Sequence, residues 1–266
     1  MRRLDGRVGV VTGASSGIGR AVCRELVRRG ARVAMLARRT ERLAELENEL
    51  GEAALAVPAD VTRDEDIERA VTQVRARFSR IDIVLANAGF GVGRPVERLG
   101  VEDFRRQFET NVFGVLRTLY STIEDLRKSR GVFAITGSVS GHLAAPGSVA
   151  YAMSKFAVRA LAEGLRAELA PSGIAVVLLS PGFVVSEIGK VDRHGRYRPD
   201  FKDGVPAWLR MPTDEAAAKI VTAIARRRRE VVITAHGKVA VFLARHFPRT
   251  TAFLLARAVP RRRPEE

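Results

Sequence analysis

The chain has 266 residues, 46% of them hydrophobic, enough for one large α/β domain with a sizeable core. No run approaches the ~18 consecutive apolar residues of a membrane span, residues 1–11 lack the apolar stretch of a signal peptide, and the single cysteine, Cys23, allows neither an internal disulfide nor a thiolate metal cage, so the expected location is the cytoplasm. The net charge of +15 comes from 39 arginines and only six lysines against 30 acidic residues, and their spread along most of the chain argues against a dedicated nucleic-acid surface.

Short apolar runs alternate with longer helical periods. Residues 8–12 read as a strand and 18–29 as a helix closed by Gly30, whose missing Cβ suits the left-handed turn after a helix. Strand 32–37 leads to helix 41–50, with Thr40 as its expected cap. Strand 53–58, helix 63–78 and strand 82–86 follow. Residues 101–128 form one long helix or two abutting ones, then come strand 132–137, helix 149–169 and strand 175–179. Helix 213–226, with Thr213 as its expected cap, and strand 231–234 close the pattern. This alternation predicts a single α/β domain: a doubly wound parallel sheet with helices on both faces, its strands apolar throughout because both faces are covered. Two stretches fall outside the pattern, 183–212 and the basic segment after Ala235.

The turn after the first strand reads Thr12-Gly13-Ala14-Ser15-Ser16-Gly17-Ile18-Gly19. Gly13 permits a tight turn, Gly17 a close backbone approach to a pyrophosphate, and Gly19 close packing of helix on strand. The helix N-terminus then offers N–H groups to the phosphates, with Ser15, Ser16 and Ile18 beside them. The second strand ends Leu36-Ala37-Arg38-Arg39, without the carboxylate that would accept the ribose 2′-hydroxyl of NAD(H). A guanidinium grips a 2′-phosphate through paired hydrogen bonds. The expected cofactor is therefore NADP(H) in preference to NAD(H), with Arg38 the main contact and Arg39 or Ser15 secondary.

Further along lie Asn87-Ala88-Gly89 after the fourth strand, Asn111 in the long helix and Ser138 after the fifth strand. Tyr151 and Lys155 stand four residues apart, on one face of a helix. With Asp60-Val61 after the third strand and Pro181-Gly182 after the sixth, this ordered set resembles the classical short-chain dehydrogenase/reductase family over roughly residues 5 to 235. The resemblance implies a Rossmann-type fold and an oxidoreductase interconverting a carbonyl and an alcohol. It makes Tyr151 the general acid or base, Lys155 the group that lowers the tyrosine pKa and binds the nicotinamide ribose, Ser138 the holder of the substrate oxygen, and Asn111 the residue that positions a relay water. It places Asp60 and Val61 around the adenine, and Asn87, Ala88 and Gly89 along the cofactor groove. Pro181, Gly182, Val184 and Ser186 fall near the nicotinamide, Ser186 standing where the family often has Thr. It also implies a homodimer or homotetramer joined through helices 101–128 and 149–169.

The segment 183–212 falls where this family carries its substrate lid. Phe90, His142, Leu143, Val185, Ile188 and Trp208 are the candidate pocket residues, and their apolar majority suggests a lipid-, steroid- or polyketide-like substrate. The four histidines show no metal-ligand spacing, so no metal is expected. The extension 236–266 mixes apolar residues with arginines, and from Arg226 onward 11 basic residues face 3 acidic ones. It reads either as an amphipathic anchor at the inner face of a membrane or as helices packed on the body or a subunit contact, with Pro248 breaking the run. The competing functions are a non-catalytic NADP(H)-binding regulator on the same fold and a basic membrane or nucleic-acid binding module.

Overall fold

The structure, a computed structural model, describes residues 3–188, 191–192, 197–198, 200 and 205–257. Seven parallel strands form one sheet in the order β3-β2-β1-β4-β5-β6-β7. They are β1 (Val8–Thr12), β2 (Arg32–Ala37), β3 (Ala54–Pro58), β4 (Ile83–Ala86), β5 (Val132–Thr136), β6 (Ala175–Ser180) and β7 (Glu230–Val232). Every residue of β1 and β4 is buried, because helices cover both faces of the sheet. The strand order reverses beside β1, which pairs with β2 on one side and β4 on the other. That reversal opens a crevice at the carboxyl ends of the strands.

Helices α1 (Gly17–Arg28), α2 (Thr40–Leu50) and α7 (Thr213–Ala225) feed one core layer, through Leu26, Leu43, Leu46, Ile220 and Ile224. Helices α3 (Asp64–Phe78), α5 (Gly114–Ser129) and α6 (Val149–Leu169) feed the other, through Ile67, Val74, Leu119, Leu126, Val158 and Leu165. Helix α1 is tied to α7 through Arg29, the residue at its C-terminal end. Arg29 binds Glu25 at 2.6 Å and also donates to the Ala218 carbonyl and Thr222 Oγ1, both at 2.9 Å. Cys23 lies buried in α1, where desolvation pushes its thiol pKa up and leaves it unreactive.

Of the two alternatives for 101–128, the structure has two abutting helices. Helix α4 (Val101–Phe108) passes into a π-helical stretch, Glu109–Phe113, before α5 begins. The two expected threonine caps are corrected. Thr40 lies inside α2 and its hydroxyl turns to Glu41, while Thr213 begins α7 and donates 2.7 Å to the Val185 carbonyl. The last strand closes earlier than expected, at Val232. Thr234 instead caps α8 (Ala235–His246), its Oγ1 accepting from the Gly237 N–H. A further helix, α9 (Pro248–Arg257), starts at the proline that breaks the run. No helix among the described residues is long and apolar enough to cross a membrane. Parts of the expected lid (189–190, 193–196, 199 and 201–204) and residues 258–266 lie outside the described residues.

Candidate active site

A cavity of about 1300 Å³ opens at the carboxyl ends of the strands. Its wall is built from what directly follows each strand: Gly13 after β1, Arg38 after β2, Asp60 and Val61 after β3, Asn87, Ala88 and Gly89 after β4, Ser138 after β5, and Pro181 and Gly182 after β6. Ser15, Ser16, Gly17 and Ile18, Tyr151 and Lys155, Val184 and Ser186, and Phe90, Leu143 and Ile188 complete the placement of the expected residues that line it.

At the glycine turn, Gly13 has φ +68°, and a Cβ there would meet the Ala88 Cα at 2.8 Å. A Cβ on Gly19 would lie 2.4 Å from the Gly13 carbonyl oxygen. Neither position admits a side chain, so the turn stays folded tightly beneath whatever the cavity holds. Thr12 braces it: its Oγ1 accepts from Asn87 N at 2.9 Å and Ala88 N at 3.0 Å, and the Asn87 side chain returns a bond to the Thr12 carbonyl at 3.0 Å. The N-cap residue Ser16 makes no side-chain bond to the start of α1, so the helix turns its N–H groups and positive dipole end to the cavity as an anion site.

Arg38 and Arg39 both line the cavity but differ in exposure. Arg38 is 63% exposed and sits 3.7 Å from Asp60. Arg39 is clasped, donating to Ser15 Oγ (3.1 Å), Ser16 Oγ (2.7 Å) and the Glu187 carboxylate (2.8 Å). Arg42 takes the other Glu187 oxygen at 2.5 Å. Those two guanidinium bonds outweigh desolvation and hold the Glu187 carboxyl below its ordinary pKa.

Tyr151 and Ser138 both line the cavity, and the Ser138 hydroxyl accepts from the Ser140 N–H at 3.0 Å. Burial is the larger influence on Tyr151 and raises its pKa, with the nearby Ser138 hydroxyl opposing it. The expectation that Lys155 depresses the tyrosine is not met here. Nζ of Lys155 donates 2.8 Å to the Thr136 carbonyl and lies 5.6 Å from the Tyr151 ring centre, and its own burial brings its pKa down to about 8. Asn111 is buried beside the cavity wall rather than in it. Its amide donates to the Phe90 carbonyl and Ser154 Oγ, both at 3.0 Å, and its oxygen accepts from Phe90 N at 3.1 Å. A Cβ on Gly89 would touch both Asn111 Oδ1 (3.0 Å) and Lys155 Nζ (3.8 Å), so these two groups converge on that glycine.

Three expected substrate residues are displaced. His142 turns inward, its Nε2 lying 3.2 Å from Ser180 Oγ and 3.1 Å from Glu230 Oε1. Val185 sits half exposed on the lid, its backbone paired to Met211. Trp208 is 82% exposed and faces solvent. None of the three lines the cavity.

Sequence reasoning also passed over residues the structure brings in. Gln107, fully buried, holds Phe90 and Val92 by their backbones. Ser154 ties Asn111 to the Tyr151 carbonyl. His236 lines the cavity, stacks on Phe183 with ring centres 5.3 Å apart, and accepts from the Phe183 N–H at 3.0 Å. An acceptor nitrogen requires the neutral ring, in keeping with the lowering of its pKa by burial.

The His142 hydrogen bond, aided by Arg245, holds the Glu230 carboxyl down to about 2 against the opposing effect of burial. A carboxyl with a depressed folded-state pKa contributes stability above its ordinary value of ~4.3 and loses it as pH falls through the folded value. Thermal unfolding followed from pH ~5 down to ~3 should therefore show a steeper loss in the wild type than in Glu230→Gln. Parallel curves would refute the linkage.

The site fits a nicotinamide dinucleotide. The glycine turn leaves room that any Cβ would fill, a helix N-terminus faces the cavity, and two arginines stand beyond it. The family model described as short chain dehydrogenase matches residues 7–196. Serine 3-dehydrogenase of Agrobacterium fabrum is 32% identical over 187 residues, covering 70% of this chain and 75% of that protein. The alcohol dehydrogenase of the archaeon Thermococcus sibiricus, solved with 5-hydroxy-NADP, is 30% identical with a TM-score of 0.73, covering 85% of this chain and 95% of its own. A short-chain dehydrogenase/reductase of Burkholderia phymatum in complex with NAD shares the fold at 24% identity, with a TM-score of 0.82 over 94% of this chain and 96% of its own.

Proposed function

The chain belongs to the short-chain dehydrogenase/reductase family, and on that premise we propose that it is an NADP(H)-dependent oxidoreductase interconverting a hydrophobic ketone or aldehyde with its alcohol. The observation that carries this reading is the convergence of Tyr151, Ser138 and Lys155 on one cavity whose far end is the glycine turn. When bound, the cofactor supplies or accepts the hydride. The turn and the α1 N-terminus would hold its pyrophosphate, Asp60 and Val61 its adenine, and Asn87, Ala88 and Gly89 would floor the groove. Lys155 would hold the nicotinamide ribose, and Pro181, Gly182, Val184 and Ser186 the ring. Tyr151, kept protonated at neutral pH by burial, hands a proton from its phenol to the substrate oxygen during reduction and takes one back during oxidation. Ser138 orients that oxygen. Asn111 is a positioning residue, fixing Phe90 and the approach to Lys155. Phe90, Leu143, Ile188 and Leu255 give the substrate end its apolar character.

The Thermococcus relative carries an NADP derivative and the Burkholderia protein NAD, so the cofactor preference rests on this chain's own residues. Arg38, well exposed on the cavity wall just after β2, is the guanidinium assigned to a 2′-phosphate, with Arg39 beside it. A charge-assisted bond contributes about 1.5–3 kcal/mol, so Arg38→Ala should cut kcat/KM with NADPH about 10- to 100-fold while leaving that with NADH nearly unchanged. Equal losses with both cofactors would remove Arg38 from this role. The test of the function itself is cofactor oxidation, followed by NADPH absorbance, against a panel of hydrophobic ketones, aldehydes and diketones. Tight NADPH binding with no turnover of ketones or acyl-thioesters with NADPH, and none of alcohols with NADP⁺, would favour a non-catalytic regulator. Self-association is proposed through the exposed Phe113, Tyr120, Met153 and Phe156, on and beside α5 and α6.

A further inference from the structure

Helix α8 is amphipathic in the unexpected sense. Its inward side is Gly237 and Val241, one turn apart and buried. A Cβ on Gly237 would lie 2.7 Å from Val139, so the helix packs closely on the turn that follows β5. Helical spacing of i, i+3 and i+4 then puts Val239, Phe242 and Leu243 together on the opposite side, where all three are exposed. Phe247 continues this face into α9, whose Phe253 and Leu254 are 54% and 56% exposed. A helix on a water-facing surface normally turns polar side chains outward. This pair instead exposes a stripe of apolar side chains among basic ones.

The charges around the face have one sign. Residues 235–257 contain Lys238, Arg245, Arg249 and Arg257 and no Asp or Glu. Glu230, the nearby acid, is already bonded to His142 and Arg245. Two copies of this face would meet with like charges opposed, whereas an anionic bilayer supplies both an apolar interior and the opposite charge. The pair also belongs to the cavity: Ala240 and Leu255, inward of the exposed residues, form part of its wall.

We propose that α8 and α9 dock on an anionic phospholipid bilayer, burying Val239, Phe242, Leu243, Phe247, Phe253 and Leu254 in the interfacial region and placing the cavity wall at Ala240 and Leu255 beside the lipid. The helices lie along the surface without crossing it. An apolar substrate dissolved in the bilayer then reaches the cavity without passing through bulk water.

The test uses the full chain and the triple variant Phe242→Glu, Phe253→Glu, Leu254→Glu, whose residues lie outside the cavity lining. Each is co-sedimented with vesicles of phosphatidylcholine alone and with phosphatidylcholine containing roughly 30% phosphatidylglycerol, at low and high salt. The wild type should partition onto the anionic vesicles, less so at high salt, and the triple variant should fall at least about tenfold in partition coefficient. An unchanged NADPH affinity in the variant certifies its fold. Absence of wild-type binding, or equal binding by the variant, overturns the proposal. So does a wild type that ignores vesicles but forms a larger assembly than the variant in light scattering, which assigns the face to a second copy. The readout is binding rather than turnover, so the result stands apart from the catalytic reading.

Discussion

Tyr151→Phe should lower kcat/KM for carbonyl reduction by about 100- to 10,000-fold, the usual contribution of a positioned proton donor. The change removes one oxygen and keeps the ring that packs 3.3 Å from where a Gly91 Cβ would stand, so the cavity shape survives. NADPH affinity should stay within about threefold by fluorescence titration. That separation of binding from turnover is what identifies a proton donor. A variant losing both would have collapsed, and one losing neither would move the chemistry elsewhere. The raised tyrosine pKa fits a phenol that donates at neutral pH, and the Ser138 hydroxyl opposes the shift in the direction needed for the anion left behind.

Lys155→Met should have opposite effects on stability and activity. Burial lowers the Lys155 pKa to about 8. Between that value and the ordinary ~10.4 of an exposed lysine, the folded chain holds fewer protons than the unfolded one. Stability therefore rises with pH through this window, and the full cost of the buried ammonium applies below it, on the order of 3 kcal/mol. Methionine keeps the apolar stem and removes the charge, while giving up the bond to the Thr136 carbonyl, worth about 1 kcal/mol. The cofactor-free variant should melt about 2–6 °C higher at pH 7, a difference that narrows above pH ~10. Turnover should fall at least about 100-fold. In the wild type, reduction should weaken above pH about 8, as the Lys155 ammonium loses its proton. A lower melting temperature would mean that the lysine serves structure first.

The parallel sheet was legible because doubly buried strands such as Val8–Thr12 have little polar surface to disguise them. The glycine turn and the Tyr151/Lys155 pair were legible because local spacing alone places them. What escaped the sequence depends on where side chains point. His142 is four residues from Ser138, yet its ring turns to Ser180 and Glu230, distant in sequence. Thr40 and Thr213 sit where caps are expected, but their hydroxyls find other partners. Glu187 bonds to arginines 148 and 145 positions away, beyond any local pattern. The outward apolar stripe on α8 was readable as periodicity, but which side faced the body was not.

The π-helical stretch has a consequence for how this chain tolerates changes in length. A π turn carries a residue more than an α turn, and each residue of an α-helix advances the azimuth by about 100°. Deleting one residue within Glu109–Phe113 would restore a regular helix at the cost of its phase. The buried Asp103 and Gln107 of α4 would rotate away from the face set by Leu119 and Leu126 of α5, and Gln107 would lose its hold on Phe90. An insertion or deletion in a surface loop is absorbed where it occurs, whereas a single-codon deletion here would turn a whole helix and the wall it supports.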